Sequence, residues 1–261
     1  MQQKTYLNKS VRDGVLLRWG KPNLTVFIAP MQFYSKKGQD LVYRKLVMKA
    51  LDAWTAASKG AVKFKITTVL LDSQINIEWR RVDRKALGHC NYFFDNLNRL
   101  YGAEVSIGLT DGLIHEKYNS EKEVYHTILH EIGHALGLGH SPYPEDIMYT
   151  PHQYGNTNLS VNDSASICWL YKIPQGMQIS KFAHKHSVNT DSDVDAVIKK
   201  ITENNSTETP TPQKKQYPDR SQLRRNLLDE AMEIGNIRKY NLSLQNIEID
   251  EDVKKHLRGD K

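Results

Sequence analysis

The run His130-Glu131-Ile132-Gly133-His134-Ala135-Leu136-Gly137-Leu138-Gly139-His140 constrains this chain more than any other stretch. On an α-helix His130 and His134 stand four residues apart, so their rings lie about 40° apart around the axis and one turn along it. Two imidazoles so placed can share one Zn²⁺ at about 2.0–2.1 Å, and Glu131 beside them can hold a water. A glycine at 137 accepts the left-handed backbone that a side chain opposes, which lets the helix end in a bend. His140 can then return as a third ligand, leaving a fourth position open to water. Five fixed positions of this kind coincide by accident on the order of once in a hundred thousand chains this long.

The same segment predicts its own packing. Ser120-Glu121-Lys122-Glu123 reads as a capping box that opens the helix. Val124, Ile128, Ile132 and Leu136 form one stripe, and His126, His130 and His134 form another about 160° away around the axis. One face is thereby held to a core while the opposite face offers ligands to a cleft. His126, one turn before His130, reads as a helix histidine with satisfied hydrogen bonds and not as a fourth ligand.

Elsewhere, apolar and polar residues alternate in segments rich in β-branched and aromatic residues. They predict strands at 24–28, 63–67, 75–79 and 103–107. Residues 41–57 carry Val42, Leu46, Ala50, Leu51 and Trp54 on one helical stripe. A second capping box, Ser160-Val161-Asn162-Asp163, opens a helix through Ile167, Leu170 and Tyr171 that stops at Pro174 and Gly176.

Beyond His140 come Ser141 and then Asp146-Ile147-Met148-Tyr149. With these the chain resembles the metzincin metalloproteases, whose signature is H-E-x-x-H-x-x-G-x-x-H followed by a methionine turn. Ser141 and the Met148-Tyr149 pair are similar to the matrixin branch, in its bacterial, prodomain-poor form, over about residues 14–176. The resemblance implies an α+β zincin fold: a twisted, mostly parallel sheet of about five strands with three helices. It implies a zinc-dependent endopeptidase with one catalytic Zn²⁺ on His130, His134 and His140. Glu131 would be the general base, Gly137 the bend, and Met148 an apolar floor under the rings. Residues 86–93 would be a further strand, pairing with an extended protein or peptide substrate. Residues 149–154 would wall the pocket for the residue after the cut.

Departures from the family set further expectations. Thr150 stands where astacin-like relatives carry a zinc-touching tyrosine, so no tyrosine ligand is expected. His89 falls near one ligand of the structural zinc of animal matrixins, but Glu104 replaces another and no H-x-D loop is present. A second zinc is therefore not expected. Acidic loops of the calcium-binding kind are thin, which leaves Ca²⁺ compatible with the family but unsupported. No P-R-C-G-like segment precedes Trp19, so latency by a thiolate on the metal is not expected.

A chain of 261 residues, 39% of them hydrophobic, suffices for one core plus an extension. The expected division is an N-terminal tail at 1–13, the catalytic domain at 14–176, a flexible linker at 177–221 and a helical segment at 222–261. The linker reading rests on the Ser, Thr, Asn, Lys and Pro content of 186–221, which offers few apolar residues to offset ordering entropy. Val194–Ile198 reads as a turn of helix within it. Leu223, Leu227, Leu228, Ala231 and Ile234 give the last segment an amphipathic pattern. Net charge is +6, but the basic residues are scattered, which suits a solvated surface and not nucleic-acid binding. No apolar run approaches the roughly 18 residues of a membrane span. The N-terminus lacks the apolar stretch of a signal peptide, although the resemblance suggests an extracellular setting. A monomer is favoured. Cys90 and Cys168 lie outside any C-x-x-C pairing and read as two free thiols. Three histidines also suit a carbonic-anhydrase-type lyase; Glu131 and Met148 favour the peptidase.

Overall fold

The computed structural model describes residues 4–31, 39–82, 86–109, 117–118, 120–188 and 193–207. A small hairpin, β1 (Val11–Arg12) with β2 (Val15–Leu16), is closed by Asp13 and Gly14, both at positive φ. Such a two-residue turn demands residues that tolerate the left-handed region. The main sheet has six strands: β3 (Arg18–Trp19), β4 (Asn23–Ile28), β5 (Lys63–Thr67), β6 (Ile75–Arg81), β7 (Gly88–Phe94) and β8 (Arg99–Leu109). Its parallel part runs β3-β8-β6-β4-β5, and β7 adds antiparallel to β8. Helix α1 (Gln39–Ala57) connects β4 to β5, the crossover that parallel neighbours require.

Alternation decides which sheet face is covered. Ile75, Ile77 and Trp79 of β6 are buried while Glu78, on the opposite face, is exposed. In β8, Ala103, Val105 and Ile107 are buried in the same sense. Against this face pack α1 and α2 (Glu121–Ala135), whose Val124, Ile128 and Ile132 lie in the core as the stripe predicted. Two buried tryptophans clamp α2: Trp54 donates Nε1–H to Leu129 O at 3.0 Å, and Trp19 donates to Ala135 O at 2.8 Å. A buried indole thus satisfies its own donor while it fills volume.

The mixed α/β class with a mostly parallel sheet is as expected, but there are more elements. Among the described residues five α-helices stand where three were expected: α3 (Val161–Lys172), α4 (Ile179–Lys185) and α5 (Val194–Thr207) join α1 and α2. The extra strand, β3, has only two residues, too few for any periodic signal. The packed unit also reaches beyond 14–176, extending to Thr207. Leu7 of the expected tail is fully buried, and the Leu7 and Asn8 N–H groups donate to the Asp195 carboxylate at 2.7 and 3.0 Å. Val194, Val197, Ile198 and Ile201 form a buried stripe on α5, inside the expected linker. Four apolar residues at helical spacing suffice for docking, whatever the average composition around them. Residues 208–221 of that linker and the helical segment at 222–261 lie outside the described residues. No helix among the described residues is long and apolar enough to cross a membrane.

Candidate metal centre

Helix α2 carries His130, Glu131 and His134, and its end is built to turn back. Gly137 N–H donates to His134 O at 2.9 Å and Leu138 N–H to Gly133 O at 3.0 Å. This pair of bonds closes a helix around one residue in the left-handed region, and Gly137 has φ +101°. A side chain there would also collide with Leu17 O. The bend brings His140 back to the helix.

The three rings converge. His134 Nε2 lies 3.1 Å from His130 Nε2 and 3.2 Å from His140 Nε2. At metal–nitrogen distances of about 2.0–2.1 Å these separations subtend roughly 100° at a shared ion, close to tetrahedral. Backbone carbonyls fix the tautomers: His130 Nδ1 donates to Ile147 O at 2.7 Å and His134 Nδ1 to Leu138 O at 2.8 Å. Carbonyls only accept, so the protons sit on Nδ1 and two bare Nε2 lone pairs face each other. Lone pairs in that arrangement repel unless a cation lies between them, and carbonyls that accept from the far ring nitrogen are of the kind that orient metal-bound imidazoles. Among the described residues, His130, His134 and His140 form a group that can hold a metal ion.

Beneath the rings, Met148 is fully buried with its sulfur against Gly133, between the two helical histidines. Any side chain at 133 would displace it. The turn bearing Met148 is pinned at both ends: Ser141 N–H donates to Met148 O at 2.8 Å, and Ile147 N–H to Asp163 Oδ2 at 2.9 Å. Asp163 is also the capping residue of α3, accepting Ser160 N–H at 2.8 Å while Ser160 Oγ accepts Asp163 N–H at 2.9 Å. The second predicted capping box therefore forms and doubles as the anchor of the methionine turn. The first does not form. Ser120 makes no side-chain cap, and Glu123 accepts instead from His152 Nε2 at 2.8 Å and from Gly155 N–H at 3.0 Å.

The rings open into a cleft of about 860 Å³ bordered by β7, α2 and residues 149–154. Glu131 lies in this cleft, only 6% exposed, with its carboxylate against Gly88 of β7. Cys90 lines the cleft too; burial, then the Glu131 carboxylate, pushes its thiol up, and both cysteines are free. His126 joins the cleft wall but not the convergent group; its Nδ1 donates to Asn156 O at 2.8 Å, and its Nε2 is buried without a partner. It is only half satisfied, contrary to the sequence expectation.

These burials set a pH profile for the metal-free protein. Burial pushes His126 and His130 from 6.5 down to about 4 and His134 to about 3. It pushes Glu131 from 4.5 up to about 8, with Arg80 opposing. A depressed histidine is protonated first in the unfolded chain, so its contribution to stability is lost as pH falls below 6.5. A raised carboxyl is protonated first in the folded chain, so stability is lost as pH rises from 4.5 through about 8. Below 6.5 three histidines outweigh one carboxyl; above it the carboxyl acts without them. The urea midpoint of metal-free protein is expected to peak near pH 6.5. A midpoint still climbing at pH 8 would mean that Glu131 is already ionised in the folded state.

Local spacing pointed to the three rings, Glu131 and Gly137, and the family resemblance to Met148; neither pointed to what packs around them, Gly133, Glu123, and Asp163 in its second role. The family model described as matrixin matches residues 18–172. A protein named probable matrix metalloproteinase 095L, from Invertebrate iridescent virus 3, is 47% identical over 51 residues. That alignment spans 18% of this chain and 13% of the viral protein. A match over more than half of the chain, coinciding with the sheet, α2 and the methionine turn, leads to one conclusion: the chain belongs to the matrixin family.

Proposed function

We propose that this protein is a zinc-dependent endopeptidase. The observation that carries the reading is the convergence of three imidazole Nε2 atoms, two of them stripped of protons by backbone carbonyls, at the head of a peptide-sized cleft. His130, His134 and His140 would hold the ion. When bound, zinc supplies Lewis acidity, which lowers the pKa of a water and polarises a carbonyl.

The chain's own residues do the rest. β7 pairs with β8 along one edge, and its other edge borders the cleft, where an extended substrate can add as a further strand. That pairing holds the scissile carbonyl in register while α2 supplies the acid–base group. Glu131 takes a proton from the attacking water as the oxygen–carbon bond forms. It then gives that proton to the amine nitrogen as the carbon–nitrogen bond breaks. Burial alone leaves this carboxyl protonated at neutral pH, and a dication nearby favours its ionised form. Met148 and Gly133 position the ligands and do not touch substrate.

The test is cleavage of an unfolded protein before and after chelation. Activity is expected to vanish with the metal, to return on adding Zn²⁺, and to be absent in His140→Ala together with stoichiometric zinc. Cleavage that persists in protein shown to be metal-free refutes the reading.

A further inference from the structure

His140 is the least supported of the three ligands. His130 and His134 each tie Nδ1 to a backbone carbonyl, whereas the His140 ring is exposed and has no such tie among the described residues. Bonds at the far ring nitrogen are what ordinarily orient a ligand imidazole. The place of His140 therefore depends on the backbone to either side of it. On one side Ser141 N–H is held by Met148 O. On the other, Gly139 N–H donates to Ser10 Oγ at 3.2 Å, and a side chain at 139 would strike Lys9. Ser10 is buried, and its carbonyl accepts Leu17 N–H at 2.8 Å. The Leu17 carbonyl in turn packs against Gly137, so both glycines of the bend lean on the N-terminal segment.

That segment is set by a helix remote in sequence. Ser10 ends a 3₁₀ turn, Leu7–Ser10, whose N-cap residue Tyr6 gives no side-chain cap. The N–H groups at the start of such a turn need outside acceptors. Asp195 of α5 supplies them: Leu7 N–H donates to one carboxylate oxygen at 2.7 Å and Asn8 N–H to the other at 3.0 Å. The Asn8 side chain answers by accepting Val194 N–H at 3.0 Å and donating to Asp193 Oδ1 at 2.8 Å. Hydrogen bonds to an ionised carboxylate are the stronger kind. Buried Leu7 and the apolar stripe of α5 join the same core, which fixes the clasp in place. Both the turn and α5 lie outside residues 18–172, the span of the matrixin match.

We propose that Asp195 and Ser10 are positioning residues for the metal centre: α5 grips the Leu7–Ser10 turn, and the turn holds Gly139 and with it the His140 ring. Segments outside the matched domain thereby set how tightly the ion is kept. This rests on the zinc-binding part of the endopeptidase reading and adds to it what governs retention of the metal. A helix that merely sealed the core would act on all three ligands alike. A strap ending at Gly139 acts through His140.

The experiment is zinc affinity of the full chain by competition against a chelator, with urea midpoints of the metal-free forms as a check on folding. Asp195→Ala and Ser10→Ala are each expected to weaken zinc binding about tenfold. In a His140→Ala background, whose weaker binding is read by direct titration, the same two changes are expected to have no further effect, because the ring they position is gone. Equal weakening in both backgrounds, or an affinity of Asp195→Ala within about twofold of wild type, overturns the proposal. If Asp195→Ala does not fold, Ser10→Ala decides by the same comparison, since it removes one hydroxyl and leaves α5 docked. Wild type that holds zinc but cleaves no peptide refutes the endopeptidase reading and leaves this inference standing. Wild type that binds no zinc removes both.

Discussion

Replacing Glu131 by glutamine is expected to lower kcat on the order of a thousandfold while zinc content stays at that of wild type. Glutamine matches glutamate in shape and still hydrogen-bonds a water, but its amide cannot accept and return a proton. The side chain has little freedom to compensate. It is 6% exposed, wedged between α2 and β7, and a methyl group at Gly88 would already strike its carboxylate and the Thr127 side chain. Metal binding should be spared, because the three converging atoms are ring nitrogens and none belongs to residue 131. The variant carries a second readout. Removing a carboxyl that burial pushes up to about 8 removes the loss of stability expected above pH 6.5 in metal-free protein. Steady-state rates, metal analysis and urea midpoints on one preparation check all three. A rate within tenfold of wild type would mean that another group carries the proton.

The legible parts of this molecule are those whose geometry is local. His130, His134, Gly137 and His140 fall within one short stretch of chain, so spacing and one backbone dihedral determine their placement. The failures share one physical cause, distance along the chain. Ser120 and Glu123 carry a capping-box pattern, yet Glu123 accepts from His152 and Gly155, about 30 residues on, and the local bond loses to these partners. Gly133 reads as an ordinary helix residue until Met148 is found packed on it. Segment 194–207 reads as linker because its average polarity hides a four-residue apolar stripe that is useful only once Leu7 and Asn8 dock beside it. Asp13-Gly14 is a strong hairpin signal, but flanking strands of two residues leave no alternation to go with it.

Asp163→Ala is expected to be the most destabilising single change in the support of the site. The Asp163 side chain is fully buried and accepts from three donors in three segments: the Tyr6 phenol, Ile147 N–H and Ser160 N–H. Burial, then the Asp163 charge, holds the Tyr6 phenol well above its ordinary range, so that hydroxyl keeps its proton to donate. Alanine would leave three donors unpaired, two of them sealed from water, at about 1–3 kcal/mol each. Even with incomplete additivity the expected loss is ~3–6 kcal/mol, a large share of a typical folding free energy. Tyr6→Phe removes one donor and leaves the carboxylate its other partners, so its cost should be about 1 kcal/mol. The two variants should also separate in metal affinity. Ile147 receives the Asp163 bond through its N–H and orients His130 through its carbonyl, so loosening the turn frees a ligand ring. Losing a partner that orients a ligand ring typically weakens metal binding on the order of 10–100-fold. Urea midpoints and competition against a chelator measure both quantities. A midpoint within 1 kcal/mol of wild type, with zinc held as tightly, would show that the methionine turn and its histidine stand without Asp163.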